Sequence, residues 1–149
     1  MTRLRYAIAL LVLLPLIAGC DETLSEFAGP TPNLTPTFSS IQREIFLKGD
    51  STGREACSGC HNRVGTGFRL TGLDLSNDNS YNLLVGVPSR ERPSILRVAP
   101  GDPDNSYLIH KIEGRRGIVD DRMPQEPPYL TDGQVAIIKR WIELGAQRN

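Results

Sequence analysis

Three residues capable of binding or redox chemistry stand close together in the stretch EACSGCHNR, residues 55–63. Cys57 and Cys60 are separated by two residues, and His61 follows Cys60 directly. This spacing is compatible with a disulfide, a zinc site, a thiol redox pair or the covalent attachment of a haem. The compartment of the chain and the residues that could complete each site decide between these four kinds of chemistry.

The first nineteen residues, MTRLRYAIALLVLLPLIAG, predict an export signal. Arg3 and Arg5 precede an apolar run from Tyr6 to Ala18, and small residues follow it. A membrane-spanning helix needs roughly 20 apolar residues, so this shorter run disfavours a transmembrane anchor. The segment LIAGC resembles the lipobox of bacterial lipoproteins, which predicts cleavage before Cys20 and lipidation of that residue. A plainly secreted protein is the alternative.

These features predict an exported protein that faces the periplasm and is attached to the lipid bilayer through an acylated Cys20. The choice between inner and outer membrane stays open. Without residues 1–19 the chain keeps 15 of its 17 basic side chains and all 17 acidic ones, a net charge of about −2. No basic patch of the kind that binds phosphate backbones is present, so we expect no nucleic-acid partner.

The mature chain divides into a tether and one domain. Residues 20–37 carry the lipidated cysteine and three prolines, which favour an extended segment and oppose a helix. Residues 38–149 are numerous enough to form one hydrophobic core. The predicted divisions are therefore 1–19 for the signal peptide, 20–37 for the tether and 38–149 for the folded domain.

Helical patterns account for the regular structure of the domain. A first helix is predicted to begin at Ser39, which forms a capping box with Gln42, and to end before Gly49. The segment NSYNLLVG predicts a short helix that ends at Gly86. Asp102 as N-cap and Gly114 as terminator predict a helix over 103–113. A last helix follows the capping box of Thr131 and Gln134 and ends near Gly145.

The fold class is therefore predicted to be all-α, with about three to five helices and long loops. The segment VGTGFRLTGLDLSNDNS, residues 64–80, is rich in Gly, Asn and Asp and is predicted to be a loop. Long irregular connections in a small domain need something that organises them. A large apolar cofactor wrapped by these loops could supply that part of the core.

Three of the four chemistries meet objections in the sequence. A disulfide between Cys57 and Cys60 closes a very small loop and stabilises little. A thiol redox pair belongs to a strand–helix context, and the chain shows no convincing strands. A zinc site could add His110 to Cys57, Cys60 and His61, but the adjacent Cys60 and His61 diverge too far for one tetrahedral centre.

Covalent haem attachment uses all three residues in distinct roles. The thiols of Cys57 and Cys60 would add to the two vinyl groups of one haem c, and His61 would bind the iron as the proximal axial ligand. A second axial ligand is usually Met or His. Met123 lies in the polar loop DDRMPQEPP, where a packing role is hard to explain, and is the predicted distal ligand. His110 is the alternative, although it falls opposite the apolar face of its helix and is expected to face water. An open sixth site is a third possibility.

Four segments carry a resemblance to a known family: CSGCH, VAPGDPDNSYLIHKIEG, DRMP and LTDGQVAIIKRWIELGA. In this order they resemble the planctomycete-type cytochrome c, a single-haem c-type cytochrome domain, over roughly residues 38–146. The resemblance implies thioether links at Cys57 and Cys60, iron ligation by His61 and Met123, and Trp141 near the crossing of the first and last helices. The segment between Phe46 and Cys57 is longer than is usual in the family.

The function predicted from these residues is that of a membrane-tethered monohaem c-type cytochrome. It would carry single electrons between redox partner proteins through the Fe(II)/Fe(III) couple, with no small-molecule substrate at the iron. The chain contains no catalytic constellation, so we expect an electron carrier and not an enzyme. The alternatives are a haem-based sensor or gas-binding module, and a redox subunit of a larger enzyme complex.

Overall fold

The computed structural model describes residues 29–76 and 79–149. The predicted signal peptide, Cys20 and the first part of the predicted tether lie outside these residues. In the described part the structure is all-α, as predicted, with isolated β-bridges and no strand. Its five helices are α1 (Phe38–Ile41), α2 (Thr66–Thr71), α3 (Ser80–Leu84), α4 (Tyr107–Glu113) and α5 (Asp132–Glu143).

The first helix begins one residue earlier than predicted and has a different cap. The Thr37 hydroxyl accepts the hydrogen bond of the Ser40 N–H at 3.3 Å, so Thr37 is the N-cap and not Ser39. A π-helical turn, Gln42–Phe46, continues α1. The predicted capping residue Gln42 is buried instead, where its amide donates to the Leu75 carbonyl at 3.1 Å and accepts from the Ser80 hydroxyl.

The core forms where the two ends of the domain meet. Trp141 of α5 is 1% exposed, and its ring lies 5.8 Å from that of Phe38 in α1. The resemblance implied this position for Trp141. The capping box of Thr131 and Gln134 is present, so the predicted start of the last helix is confirmed. The other buried apolar residues of the two ends include Ile41, Ile45, Phe46, Ile137, Ile138 and Ile142.

Helix α2 corrects the prediction of a loop over residues 64–80. Gly65 is its N-cap, and Gly72, in the left-handed conformation with φ of 66°, terminates it. The sequence is rich in glycine here, and glycine usually breaks helices. Gly65 and Gly67 lie where an added β-carbon would clash with Cys60 and His61, which explains glycine at these two positions.

The helix predicted over 103–113 is shorter than expected. It begins at Tyr107, and the Asp102 carboxylate instead accepts from the Asn105 backbone N–H at 3.1 Å. Asp102 therefore stabilises a turn that precedes the helix. Gly114 ends α4 with φ of 69°, as predicted.

The packed part of the chain begins before Phe38, inside the segment predicted to be a tether. Leu34 is 1% exposed and belongs to the core, and the Thr31 hydroxyl accepts from the Gln134 amide at 3.1 Å. Proline opposes helix formation here but does not prevent the apolar Leu34 from being buried. Among the described residues, no helix is both long enough and apolar enough to cross a bilayer.

Candidate functional site

The two cysteines and the histidine lie on one tight turn that leads out of the core. A 3₁₀ turn spans Cys57–Gly59, and the Cys57 carbonyl accepts from the His61 N–H at 2.9 Å. Cys57 is half-buried against the core, whereas Cys60 is exposed. Both are free thiols. The turn therefore gathers Cys57, Cys60 and His61 within one loop of backbone.

Asn62 makes this turn rigid. Its side-chain amide donates to the carbonyls of Ser58 and Gly59 at 2.8 and 2.9 Å, and its oxygen accepts from the Val64 N–H at 3.1 Å. The His61 carbonyl in turn accepts from the Leu75 N–H at 2.8 Å. The motif is thus fixed on both sides of His61 by hydrogen bonds that do not involve the thiols or the imidazole.

Gly65 and Gly67 allow the chain to pass unusually close to the motif. A β-carbon at position 65 would lie 2.1 Å from the Cys60 carbonyl oxygen, and one at position 67 would lie 2.9 Å from the His61 ring. Real β-carbons do not approach other atoms at less than 3.0 Å. The absence of a side chain at both positions is therefore what lets α2 begin directly against the motif.

The imidazole of His61 is half-buried and incompletely bonded. Its Nδ1 is the one buried side-chain nitrogen or oxygen in the described part of the chain that has no hydrogen-bond partner. Burial lowers the pKa of His61, which favours the neutral ring. A neutral imidazole is the form that binds metals. His61 therefore favours the neutral form, and one of its ring nitrogens has no hydrogen-bond partner among the described residues.

Arg54 lies behind the motif in the long segment that precedes Cys57. Its side chain is fully buried and pairs with Asp50 at 2.9 Å between Nε and Oδ2. It also donates to the carbonyls of Ile45, Lys48 and Glu55. Burial raises the pKa of the Cys57 thiol, and the positive charge of Arg54 opposes that rise.

The predicted distal residue, Met123, is half-buried in the proline-rich loop between α4 and α5. Its N–H donates to the Lys111 carbonyl of α4 at 2.8 Å, and the peptide bond to Pro124 is cis. The alternative ligand, His110, has its Nε2 within 2.6 Å of the Asp104 carbonyl oxygen. His110 would have to give up this contact to bind a metal through Nε2.

Lys111 connects the two sides of the site. It is 7% exposed, its backbone carbonyl holds Met123, and its ammonium lies 3.5 Å from the Glu91 carboxylate. The charges of Glu91 and Lys111 are also close enough to His61 to act on the pKa of its ring. Lys111 therefore bonds directly to Met123 and acts on His61 only through its charge.

A second buried cation, Arg97, lies within reach of the same imidazole. Its guanidinium donates to the carbonyls of Leu83 and Thr71, near the C-terminal ends of α3 and α2. Burial lowers the pKa of Arg97, and the nearby Arg90 lowers it further. Burial is the largest cause of the lowered pKa of His61, while the charges of Arg97 and Lys111 lower it further and the charge of Glu91 raises it.

Within the described ranges, no three or more His, Cys, Asp and Glu side chains are grouped so that they could hold a metal ion. The four residues of the zinc alternative are thus not gathered at one point. The sequence reasoning missed the supporting residues Arg54, Asn62, Gly65, Gly67 and Lys111. The available signal was the pair Gly65 and Gly67, which follows His61 within six residues and permits a close approach of the backbone.

Comparisons with known protein families, with curated proteins and with solved structures give no match to this chain.

Proposed function

We propose that this chain is a membrane-tethered, periplasm-facing monohaem c-type cytochrome that carries single electrons between redox partner proteins. The observation that supports this proposal best is the environment of His61. Its imidazole favours the neutral form and has a buried ring nitrogen without a hydrogen-bond partner, and two free thiols lie beside it at the C-x-x-C-H spacing. This donor set fits a haem c, for which Cys57 and Cys60 would be the thioether anchors and His61 the proximal ligand.

The donor chemistry favours haem over the other candidates. A zinc ion would need further ligands near Cys57, Cys60 and His61, and the described residues provide no such group. The turn around Asn62 and the close approach at Gly65 and Gly67 hold the backbone of the motif in place before any ligand binds. Such preorganisation reduces the entropy lost when a rigid planar group is bound.

Met123 is the distal ligand in this proposal. Its loop is bonded to α4, and the charge of Lys111, which is also in α4, acts on the pKa of the His61 ring. Haem supplies a reversible Fe(II)/Fe(III) couple when bound, and Met ligation raises its potential relative to two His ligands. If His61 and Met123 both held the iron, no site for a substrate would remain on it. The polypeptide would then bind and orient the group, and the segment after the lipidated Cys20 would tether it near its partners.

Visible absorption of the purified full-length protein tests this proposal. The protein is produced in a host that attaches haem to exported chains. We expect haem that stays bound after denaturation and acid–acetone extraction, a low-spin spectrum and the weak red-end charge-transfer band of Met–Fe(III). The Cys57→Ala/Cys60→Ala variant should lose the covalent attachment. A preparation that contains zinc and no haem would refute the proposal.

Two matched variants assign the distal ligand. Met123→Ala should remove the charge-transfer band, whereas His110→Ala should keep it, because His110 is bonded to Asp104. Loss of the low-spin spectrum in His110→Ala instead would show that His110 is the ligand. A wild-type high-spin spectrum that shifts when CO or NO is added would favour the sensor.

A further inference from the structure

The loop that carries Met123 has little apolar packing of its own. Residues 115–129 contain three prolines and many polar groups, and Val119 is one of the large apolar side chains that remain exposed. A loop of this composition has no hydrophobic stripe to fix its position. The position of Met123 must therefore come from polar contacts between the loop and the rest of the domain.

Helix α4 provides those contacts through its backbone and its side chains. The Lys111 carbonyl accepts from the Met123 N–H, and the Ile112 carbonyl accepts from Arg122 Nε, both at 2.8 Å. These two bonds hold Met123 and the preceding residue, Arg122. Their acceptors are carbonyls of α4 itself, so they are independent of the side chains that α4 carries.

Two further contacts are made by side chains of α4, and both act on a single loop residue, Val119. The Lys111 ammonium donates to the Val119 carbonyl at 2.7 Å, and the Val119 N–H donates to the Tyr107 hydroxyl at 3.0 Å. Both backbone polar groups of Val119 are thus held from one face of α4. We call this pair of contacts the Val119 clamp.

Burying the side chains of the Val119 clamp carries an unfavourable desolvation free energy. Lys111 and Tyr107 are 7% and 4% exposed, and a buried ammonium is costly even when it has a carboxylate such as Glu91 at 3.5 Å. Apolar residues of the same size would fill these two positions without that desolvation penalty. The clamp is therefore better explained by what it positions than by what it adds to stability.

We propose that Tyr107 and Lys111 are positioning residues for the distal ligand, and that they hold Met123 at the iron by fixing Val119 four residues before it. This inference rests on the proposed function. Neither side chain touches the metal, because both act through the backbone of the loop. Removal of either contact should let Met123 leave the iron more often without changing the other ligands.

Competition by an added ligand measures how often Met123 leaves. In the oxidised haem-loaded protein at pH 7, imidazole can bind only while Met123 is dissociated, so its apparent affinity reports that fraction. We expect Tyr107→Phe to raise the apparent imidazole affinity roughly tenfold, the effect of one lost hydrogen bond. Lys111→Met, which keeps the chain length and removes the donor, should act in the same direction.

Tyr81→Phe is the matched control. The Tyr81 hydroxyl donates to the Ala146 carbonyl at 2.9 Å, one hydrogen bond of the same kind in a part of the core that does not hold the Met123 loop. It should lower thermal stability about as much as Tyr107→Phe and leave imidazole affinity unchanged. Equal imidazole affinity in wild type, Tyr107→Phe and Lys111→Met, in proteins that show the Met–Fe(III) band, would overturn this inference alone. A wild type without that band would overturn the proposed ligand and this inference together.

Discussion

Replacement of Gly65 by alanine tests whether the close approach of α2 shapes the motif. The added β-carbon would lie 2.1 Å from the Cys60 carbonyl oxygen, and real contacts begin at 3.0 Å, so the two backbones must separate by about 0.9 Å. A separation of this size inside a packed region costs about 1–3 kcal/mol. The midpoint of thermal unfolding should fall by about 4 °C per kcal/mol, hence by about 4–12 °C.

Gly59→Ala is the matched control for this change. Gly59 belongs to the same motif, and a β-carbon there would meet nothing within 4 Å. Because alanine reduces the entropy of the unfolded chain, this variant should be unchanged or slightly more stable. Circular dichroism of wild type and both variants, under identical conditions, gives the three midpoints of thermal unfolding.

Gly65→Ser separates the steric effect from helix capping, because Gly65 is the N-cap of α2. Serine is a better N-cap than alanine but carries the same β-carbon. We therefore expect Gly65→Ser to remain well below wild type in stability. Wild-type stability in Gly65→Ser would show that capping explains the loss in Gly65→Ala, and would refute the steric argument. An unfolding midpoint of Gly65→Ala within 1 °C of wild type would refute it as well.

Two predictions concern the buried ion pair behind the motif. Arg54→Met should lower the free energy of unfolding by about 3–5 kcal/mol in urea titrations, because Asp50 is left as a buried charge. The double variant with Asp50→Asn should recover part of that loss. A loss below about 1 kcal/mol in Arg54→Met would contradict this prediction. Burial alone would raise the pKa of Asp50, but hydrogen bonds from Thr52, Gln134 and Arg54 lower it to about 2. Since this folded-state pKa lies below the ordinary value, the contribution of Asp50 to stability is complete above about pH 4 and disappears as the pH falls towards 2. The difference in stability between wild type and Asp50→Asn should shrink over that range, and a constant difference would exclude the assignment.

The parts of the fold that local signals specify could be predicted from the sequence. Helix α5 is an example, because Thr131, Gln134 and the apolar spacing that follows them act within a few residues of one another. The all-α class followed from patterns of the same short range, and the prediction of Cys57, Cys60 and His61 as site residues rests on one such pattern. Such signals do not depend on how distant segments pack.

The features that the sequence did not reveal arise from contacts between distant segments. Glycine at positions 65 and 67 was interpreted as loop-forming, but the reason for it is the Cys60 carbonyl and the His61 ring, which local composition cannot show. The burial of Lys111 depends in the same way on Val119 and Glu91. A charged residue within an amphipathic pattern is usually exposed, so its helix alone gives no sign that it turns inward.

The burial of Leu34 and the bond of Thr31 to Gln134 fix the distance over which the domain could act. If Cys20 carries lipid, as proposed, the chain from Cys20 to the anchored Thr31 is eleven residues long, against eighteen residues to Phe38. Fully extended, eleven residues span at most about 40 Å, against about 65 Å for eighteen. The point at which the domain is attached would therefore stay within that shorter distance of the membrane surface, and only the size of the domain itself would add to its reach.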